Sequence, residues 1–595
     1  MGRLIMNYNM RILVSFFIIT ISLQSYGQYK SIGEDEKKIF ESTAPESIFV
    51  HYNSSFYMVG EYMYFKIYCL NPKTKRLSHI SKMAYLELID KSGERVFRQK
   101  IKLDNGIGQG DFFLPVGTPS GNYKLVAYTK WMGNWGQGLF SQEDIAIINP
   151  YSNNQKNFLE SDSIQSKIDS KTSKAPSFGL GENPMKMAPT KKQFGKREAV
   201  TIKFEGKRSE KIPNGAYSIS VRRYDPIFPN HKKTTFDHLA LTKISTPIFE
   251  KNFILPELRG ELITGKVVTN NPDKPVGNLK VSFSIPGENY QLKIARTDAS
   301  GQFYFNIGKP YRSEEAVIQI LEEKVDGLTV EIENPPTLVD VNDLKFKSFK
   351  LNPDMNDLIL KQSIQNQIEN AYFKVKPDTI VSEGGQLNFY GKKAKTYLLD
   401  DYTRFPTVKE TVLEILNNVW LMQTKDGAYS FNLRTLNGEF NNSEFTSLLL
   451  VDGLLVKDQD YFIKNFNSNL IERINIVRQY YRIGSQIFDG VIDIQTFDLN
   501  YQIPPNKDGL KALKLDRQTE IKDYFRQTYV DSTIKQSKRI PDLRQQLLWL
   551  PNIDLDKDET ITFFTSDVSG NFEISLEGFT ETGQPVSLKE TITVE

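Results

Sequence analysis

The feature that most restricts what this chain can fold into is a short alternation of apolar and polar residues that recurs along most of its length, broken each time by Gly, Pro, Asn or Asp. It runs through "YMYFKIYCL" from Tyr62, "MAYLELID" from Met83, "GNYKLVAYT" from Gly121 and "GAYSISVRRYD" from Gly215. A period of two puts successive side chains on opposite faces of a strand, and many such strands between turn residues predict antiparallel sandwiches. With 595 residues the chain exceeds the usual domain size several-fold, so four or five separate cores are expected. An aromatic content of 12%, with 28 Tyr and 38 Phe, favours the same β-rich class over helical bundles or disorder.

Charge and chemistry then remove whole classes of function. The 75 Lys and Arg nearly balance 72 Asp and Glu, and a net charge of +3 creates no field to hold a polyanion, so nucleic acid is not an expected partner. Cys69 is the single cysteine; it can form no intrachain disulfide and reads as a small strand residue. The four histidines, His51, His79, His231 and His238, all precede residue 240, which leaves the later segments without an imidazole base. His231 and His238 lack a third metal ligand at a matching spacing and read as surface or helix-end residues. No nucleophile elbow, zinc-protease helix or Walker loop is present; the glycines of "GIGQGD" (Gly106 to Asp111) and "GLGENP" (Gly179 to Pro184) read as turns. No enzymatic activity and no cofactor are expected.

Arg3 and Arg11 precede the apolar run Ile12 to Leu23, with Ser25 and Gly27 following. This pattern is that of a cleaved secretory peptide over residues 1–27, shorter than the ~20 apolar residues of a membrane span. The protein is expected to be exported, periplasmic or outer-membrane associated, and not a lipoprotein, since no cysteine follows the run.

Several segments resemble known families. "FFLPVGTPSGNYKLVAYT", Phe112 to Thr129, resembles macroglobulin-type sandwich domains, predicting one such domain over 28–151. The polar stretch 152–190 reads as a linker, and a second, shorter macroglobulin-like sandwich is expected over 191–256. "TDASGQFYF", Thr297 to Phe305, within 257–345, resembles the carboxypeptidase regulatory-like domain, a transthyretin-like sandwich without peptidase chemistry. A helical connector follows over 346–377, with Asn352 as cap, Pro353 as first helical residue and Ile364, Ile368 and Tyr372 on the face expected to pack.

Residues 378–500 resemble the plug of TonB-dependent outer-membrane receptors. The likeness rests on the capped helix from Thr407, on "LLLVDGLLV" with Asp452 and Gly453 as a two-residue turn, and on "FDGVIDIQT" with Asp489 and Gly490. "DTIVS" (Asp378 to Ser382) is expected to be its first strand. A 22-stranded barrel needs more than ~220 residues, which the ~100 residues after Thr496 do not supply, so the resemblance implies a plug without its own barrel. A charged connector over 501–538 and a macroglobulin-like unit over 539–595 complete the order, which resembles large Bacteroidetes envelope proteins.

The expected fold class is therefore mostly β: tandem antiparallel sandwiches, macroglobulin-like and transthyretin-like, plus one α+β plug-like domain. The expected function is a non-catalytic scaffold or accessory subunit that docks to an outer-membrane β-barrel protein or complex, reaching the membrane through that partner. A steric macroglobulin-like protease inhibitor lacking the thioester is the alternative, with 152–190 as its bait loop. A weak calcium site is suggested by Asn552, Asp554, Asp556 and Asp558 at alternate positions, although Lys557 stands where the loop wants Gly and Phe563 where it wants Glu.

Overall fold

The computed structural model describes residues 38, 42–152, 182–207, 210–224, 232–244, 254–333, 337–381, 388–434, 436, 445–504, 508–529, 540–555 and 559–595. Strands account for 45% of the chain and helices for 14%, which makes the protein mostly β as its alternation predicts. The signal segment 1–27, most of the 152–190 linker and Ser382 lie outside the described residues. Two compact units emerge, one formed by 43–261, 336–383 and 518–595, the other by 262–335 and 384–517.

The first of these units holds two sandwiches. In the N-terminal one, Ser47–Tyr52, Tyr62–Leu70 and Ile107–Phe113 form a three-stranded sheet, and Phe56–Met58, Ser141–Ile148, Gly121–Tyr128, Met83–Ile89 and Arg95–Lys102 a five-stranded one. "GIGQGD" is for the most part a strand rather than the expected turn. A Cβ on Gly110 would sit 2.6 Å from the Phe65 ring, so glycine there admits the ring against the backbone.

The two short macroglobulin-like units expected over 191–256 and 539–595 are corrected to one sandwich. Gly215–Tyr224 lies between Gln546–Ile553 and Gly570–Thr580, antiparallel to both, and Ala199–Gly206 pairs with Thr560–Phe564. Val200, Ile202, Ile219 and Val221 share a core with Leu548, Phe572, Ile574 and Leu576. The physical reason is size: two or three strands cannot bury a core alone, and each segment supplies the other's missing neighbours.

Helix α1, Thr235–Leu241, starts on a capping box of Thr234 and Asp237. Helix α2, Asn356–Ala371, follows a 3-10 turn over Pro353–Met355, so the helix proper begins three residues later than Pro353. Its expected apolar packing face is also corrected. Ile364 and Tyr372 are 48% and 37% exposed and Ile368 is half-buried, whereas Gln362 and Ser363 are buried. The polar face packs because it meets main-chain groups that need partners: Asn366 donates to the Val59 carbonyl at 3.1 Å and Asn370 to that of Gly60 at 2.9 Å. "DTIVS" is likewise not the first strand of the plug-like sheet; Thr379–Ile380 pairs with Lys522–Asp523, inside the expected connector.

In the second unit, Gln302–Ile307, Glu261–Thr269 and Leu328–Ile332 form one sheet of a smaller sandwich. Gln291–Arg296, Lys280–Ile285, Glu315–Ile320 and Leu510–Lys514 form the other, the last strand again coming from the expected 501–538 connector. The turn in "TDASGQFYF" is built as its residues require: Asp298 Oδ1 accepts from the amides of Ser300 and Gln302 at 2.8 and 2.9 Å, and Gly301 takes φ +87°.

The segment from Lys395 folds as an α/β module. Its five-stranded sheet runs Lys395–Leu398, Ile471–Ile483, Gln486–Thr496, Leu448–Val451, Leu454–Leu455, with Leu448–Val451 parallel to Gln486–Thr496. Helix α3, Val408–Ile415, is capped by Thr407, which accepts from the Glu410 amide. Val408, Val412 and Ile415 join Ile474, Ile476, Ile492 and Ile494 in the core. The helix ends at Ile415, where Leu416 turns extended at φ −86° and ψ 119°; Asn418 then takes φ +67°, and Val419–Gln423 continues as a strand. Helix α4, Gln459–Asn465, is capped by Asp458, and strand, acidic turn, short helix, strand, turn and strand follow in the order the sequence implies.

Candidate docking groove

Asp452 and Gly453 form the two-residue turn between Leu448–Val451 and Leu454–Leu455, both with positive φ, +51° and +84°. Mirror-image turns of this kind match the twist of paired strands, which is why Asp-Gly marks them in sequence. The Asp452 side chain has a second task. Its carboxylate, 1% exposed, accepts from the Thr496 amide at 2.8 Å, the Thr496 hydroxyl at 2.7 Å and the Tyr501 amide at 2.9 Å. Gly453 is held against the smaller sandwich, since a Cβ there would lie 2.1 Å from Tyr290, and the Gly287 amide donates to the Asp452 carbonyl at 3.0 Å.

Asp489 and Gly490 sit at a register shift between Ile471–Ile483 and Gln486–Thr496, where Val477 pairs with Val491 but Tyr480 with Asp489. Gly490 takes φ +79° there, and the Asp489 amide donates to the Thr446 carbonyl at 3.1 Å. All four residues shape the module; none of them presents a reactive group.

Asp493 was not singled out by sequence reasoning, although a lone carboxylate within "GVIDIQT" was a signal of something special. It is fully buried and accepts from the Tyr390 hydroxyl at 2.6 Å and the Tyr290 hydroxyl at 3.2 Å, joining the two modules. Burial pushes its pKa up to about 6, and the two hydroxyls pull the other way.

Beside this seam the smaller sandwich and the α/β module enclose an open groove of about 910 Å³, within the 300–1,000 Å³ range of binding sites. Lys280 and Glu322 line one side; Tyr429, Phe431 and Phe488 line the other, with Met422 (50% exposed) and Phe445 (38%) also in its wall. Tyr429–Leu433 pairs through one edge with Val419–Gln423. On α4, Gln459 Oε1 accepts from the Phe431 amide at 2.8 Å while its Nε2 donates to the Ser447 carbonyl at 3.0 Å, and Asp460 accepts from the Tyr429 amide at 2.7 Å. Side chains thus occupy positions that a neighbouring strand would fill.

Of the weak calcium candidate, Asn552 and Asp554 are among the described residues. Asn552 Oδ1 accepts from the Lys66 ammonium at 2.6 Å, which repels a cation, and Asp556 and Asp558 lie outside the described residues, as does His231; Asp554 is exposed. Among the described residues no group of three or more His, Cys, Asp or Glu could hold a metal. His238 is half-buried on α1, its Nε2 3.3 Å from Ser47 Oγ, and Cys69 is buried, as expected of a strand residue. Ser218 Oγ and His51 Nδ1 stand 2.6 Å apart, a nucleophile-and-base contact in outline, but they are 0% and 3% exposed. They close a packed seam between the two sandwiches, where no substrate reaches them.

These features define a class: a multi-module β-sandwich protein carrying one α/β module with a groove beside it. No family model matches the chain, and no curated protein matches it. Among solved structures, a Salmonella α2-macroglobulin and the native conformation of the Escherichia coli one each align at 9% identity over 93% of this chain and 40% of theirs, with TM-score 0.22. Dimeric latent PorU from Porphyromonas gingivalis aligns at 9% identity over 49% of this chain and 34% of its own, with TM-score 0.15. The chain spans about 40% of the macroglobulin chains' length.

Proposed function

We propose that this protein is an exported, non-catalytic scaffold or accessory subunit of an outer-membrane protein complex, docking a β-barrel partner through its plug-like module and working without a cofactor. The carrying observation is the groove of about 910 Å³, whose wall holds a strand edge satisfied by Gln459 and Asp460 side chains. An extended partner segment that displaces those side chains gains main-chain hydrogen bonds, and Met422 and Phe445 give it apolar contact. The plug resemblance supports a barrel protein as that partner, and the leader-like N-terminus supports export. No helix among the described residues is long and apolar enough to cross a membrane.

The test is mild-detergent affinity purification of the tagged chain from native membranes, wild type against Met422→Asp/Phe445→Asp. A stoichiometric barrel protein with the wild type, lost with the double variant, supports the reading. Recovery of the wild type alone, or a partner indifferent to the substitutions, overturns it.

A further inference from the structure

A second cleft, unrelated to the groove, lies in the two-sandwich unit. It forms where Tyr62 and Tyr64 of the N-terminal sandwich meet Phe373 after α2, Tyr524 and Trp549, with a cavity volume of about 130 Å³. The rings are ordered: Phe373 stacks on Tyr62 at 5.6 Å between centroids, Tyr62 on Tyr64 at 5.9 Å, Tyr64 on Trp549 at 6.0 Å, and Tyr524 meets Tyr64 edge-on at 5.0 Å.

The charges around it are paired except one. Arg222 bridges to Glu61 at 2.9 Å, Arg544 to Asp542 at 2.7 Å, and Lys376 to Glu369 and, at 3.5 Å, to Asp542. Asp378 has no ion-pair partner among the described residues. Lys522, the cation whose field it feels, is held by Asp111 at 2.8 Å, and one Asp378 oxygen accepts only the Phe525 amide at 2.9 Å. Of the three lining carboxylates, Glu61 and Glu369 are held by Arg222 and Lys376, and the third lining cation, Arg544, is taken by Asp542 from outside the lining, so Asp378 stands beside the aromatic rings without a cation of its own. In the wall, the Tyr524 hydroxyl and the Trp549 indole N–H are buried donors without partners among the described residues, which a finished core does not tolerate cheaply.

From this geometry we infer that the cleft is a receptor for an arginine side chain presented by a partner polypeptide. A guanidinium is planar, weakly hydrated and forked; it lies against aromatic rings and takes one carboxylate with two N–H groups, which an ammonium does less well. This inference is independent of the groove and survives if the barrel-docking reading fails.

The test is titration of the full chain with N-acetyl-Gly-Arg-Gly-amide, followed by calorimetry and indole fluorescence, beside peptides carrying lysine or neutral citrulline at the same position. Saturable binding in the order Arg, Lys, citrulline is expected, weakened roughly tenfold by Asp378→Asn, which keeps an acceptor for the Phe525 amide. Phe373→Ala, at an exposed ring, gives a second weakening without threatening the fold. Equal binding of citrulline, lysine ahead of arginine, no saturation by about 10 mM, or affinity unchanged in both variants overturns the proposal.

Discussion

Replacing Asp452 by Ala removes three hydrogen bonds in one step and leaves the Thr496 amide, the Thr496 hydroxyl and the Tyr501 amide facing a void. Hydrogen bonds to a charged group contribute about 1.5 to 3 kcal/mol each, with part of that recovered by local relaxation, so a net loss of about 4 kcal/mol is expected. Ala also lacks the local hydrogen bonding that lets Asp hold φ +51°. For a unit of this size each kcal/mol lowers the melting temperature by about 2 to 4 °C, so its calorimetric transition should fall by roughly 10 °C. Asp452→Asn keeps one acceptor and tolerates the left-handed backbone; about 2 kcal/mol is expected. Amide exchange at Thr496 and Tyr501 gives the local readout, accelerating far more in the Ala variant. If Asp452→Ala melts within a degree or two of wild type, or Asp452→Asn proves equally damaging, the carboxylate is not what ties the turn to the strand after it.

Three further outcomes follow from buried charges. Asp493, held by burial at about 6, binds its proton more tightly folded than unfolded. Stability from it is therefore present below pH ~4 and lost as pH rises through ~6, by about 3 kcal/mol, and Asp493→Asn should flatten that slope in a urea titration series. Asp542 behaves oppositely: burial pushes it up, but Arg544, Lys376 and the Tyr529 hydroxyl together outweigh this and hold it at about 2, so stability falls as pH drops from ~4 towards 2. Asp542→Ala, which strands a buried guanidinium, should cost about 3 to 5 kcal/mol in chemical denaturation. Burial lowers Lys66 to about 7, below its unfolded value, so wild-type stability should rise between pH 7 and 10, and Lys66→Met should abolish that rise.

Local rules were readable where the physics is local. The Asp452–Gly453 turn, the Thr407 cap and the Asp298 turn each depend on a few adjacent residues and are built as their chemistry predicts. Pairing partners were not readable in this way: a period of two assigns the faces of Gly215–Tyr224 but carries no information that its neighbours are Gln546–Ile553 and Gly570–Thr580. Burial at seams was hidden for a related reason. His51 and Lys66 stand at polar positions of alternating strands, and only the arrival of the second sandwich takes them to 3% and 1% exposure. On α2 the periodicity of Ile364, Ile368 and Tyr372 pointed to the wrong face, because unpaired main-chain carbonyls at Val59 and Gly60 draw in its amides instead. The groove edge capped by Gln459 and Asp460 left no pattern at all, since the spacing of two polar residues at a helix start is unremarkable.

The sandwich completed by distant segments bears on biogenesis. Ser220 and Gln546, bonded side chain to side chain, are 326 residues apart. During synthesis the earlier strand therefore emerges long before either neighbour exists and must be kept from wrong associations meanwhile. A chain cut anywhere in between can finish its N-terminal sandwich but leaves this one as an unpaired, sticky half. Proteolytic resistance of that region thus reports whether its distant strands have paired.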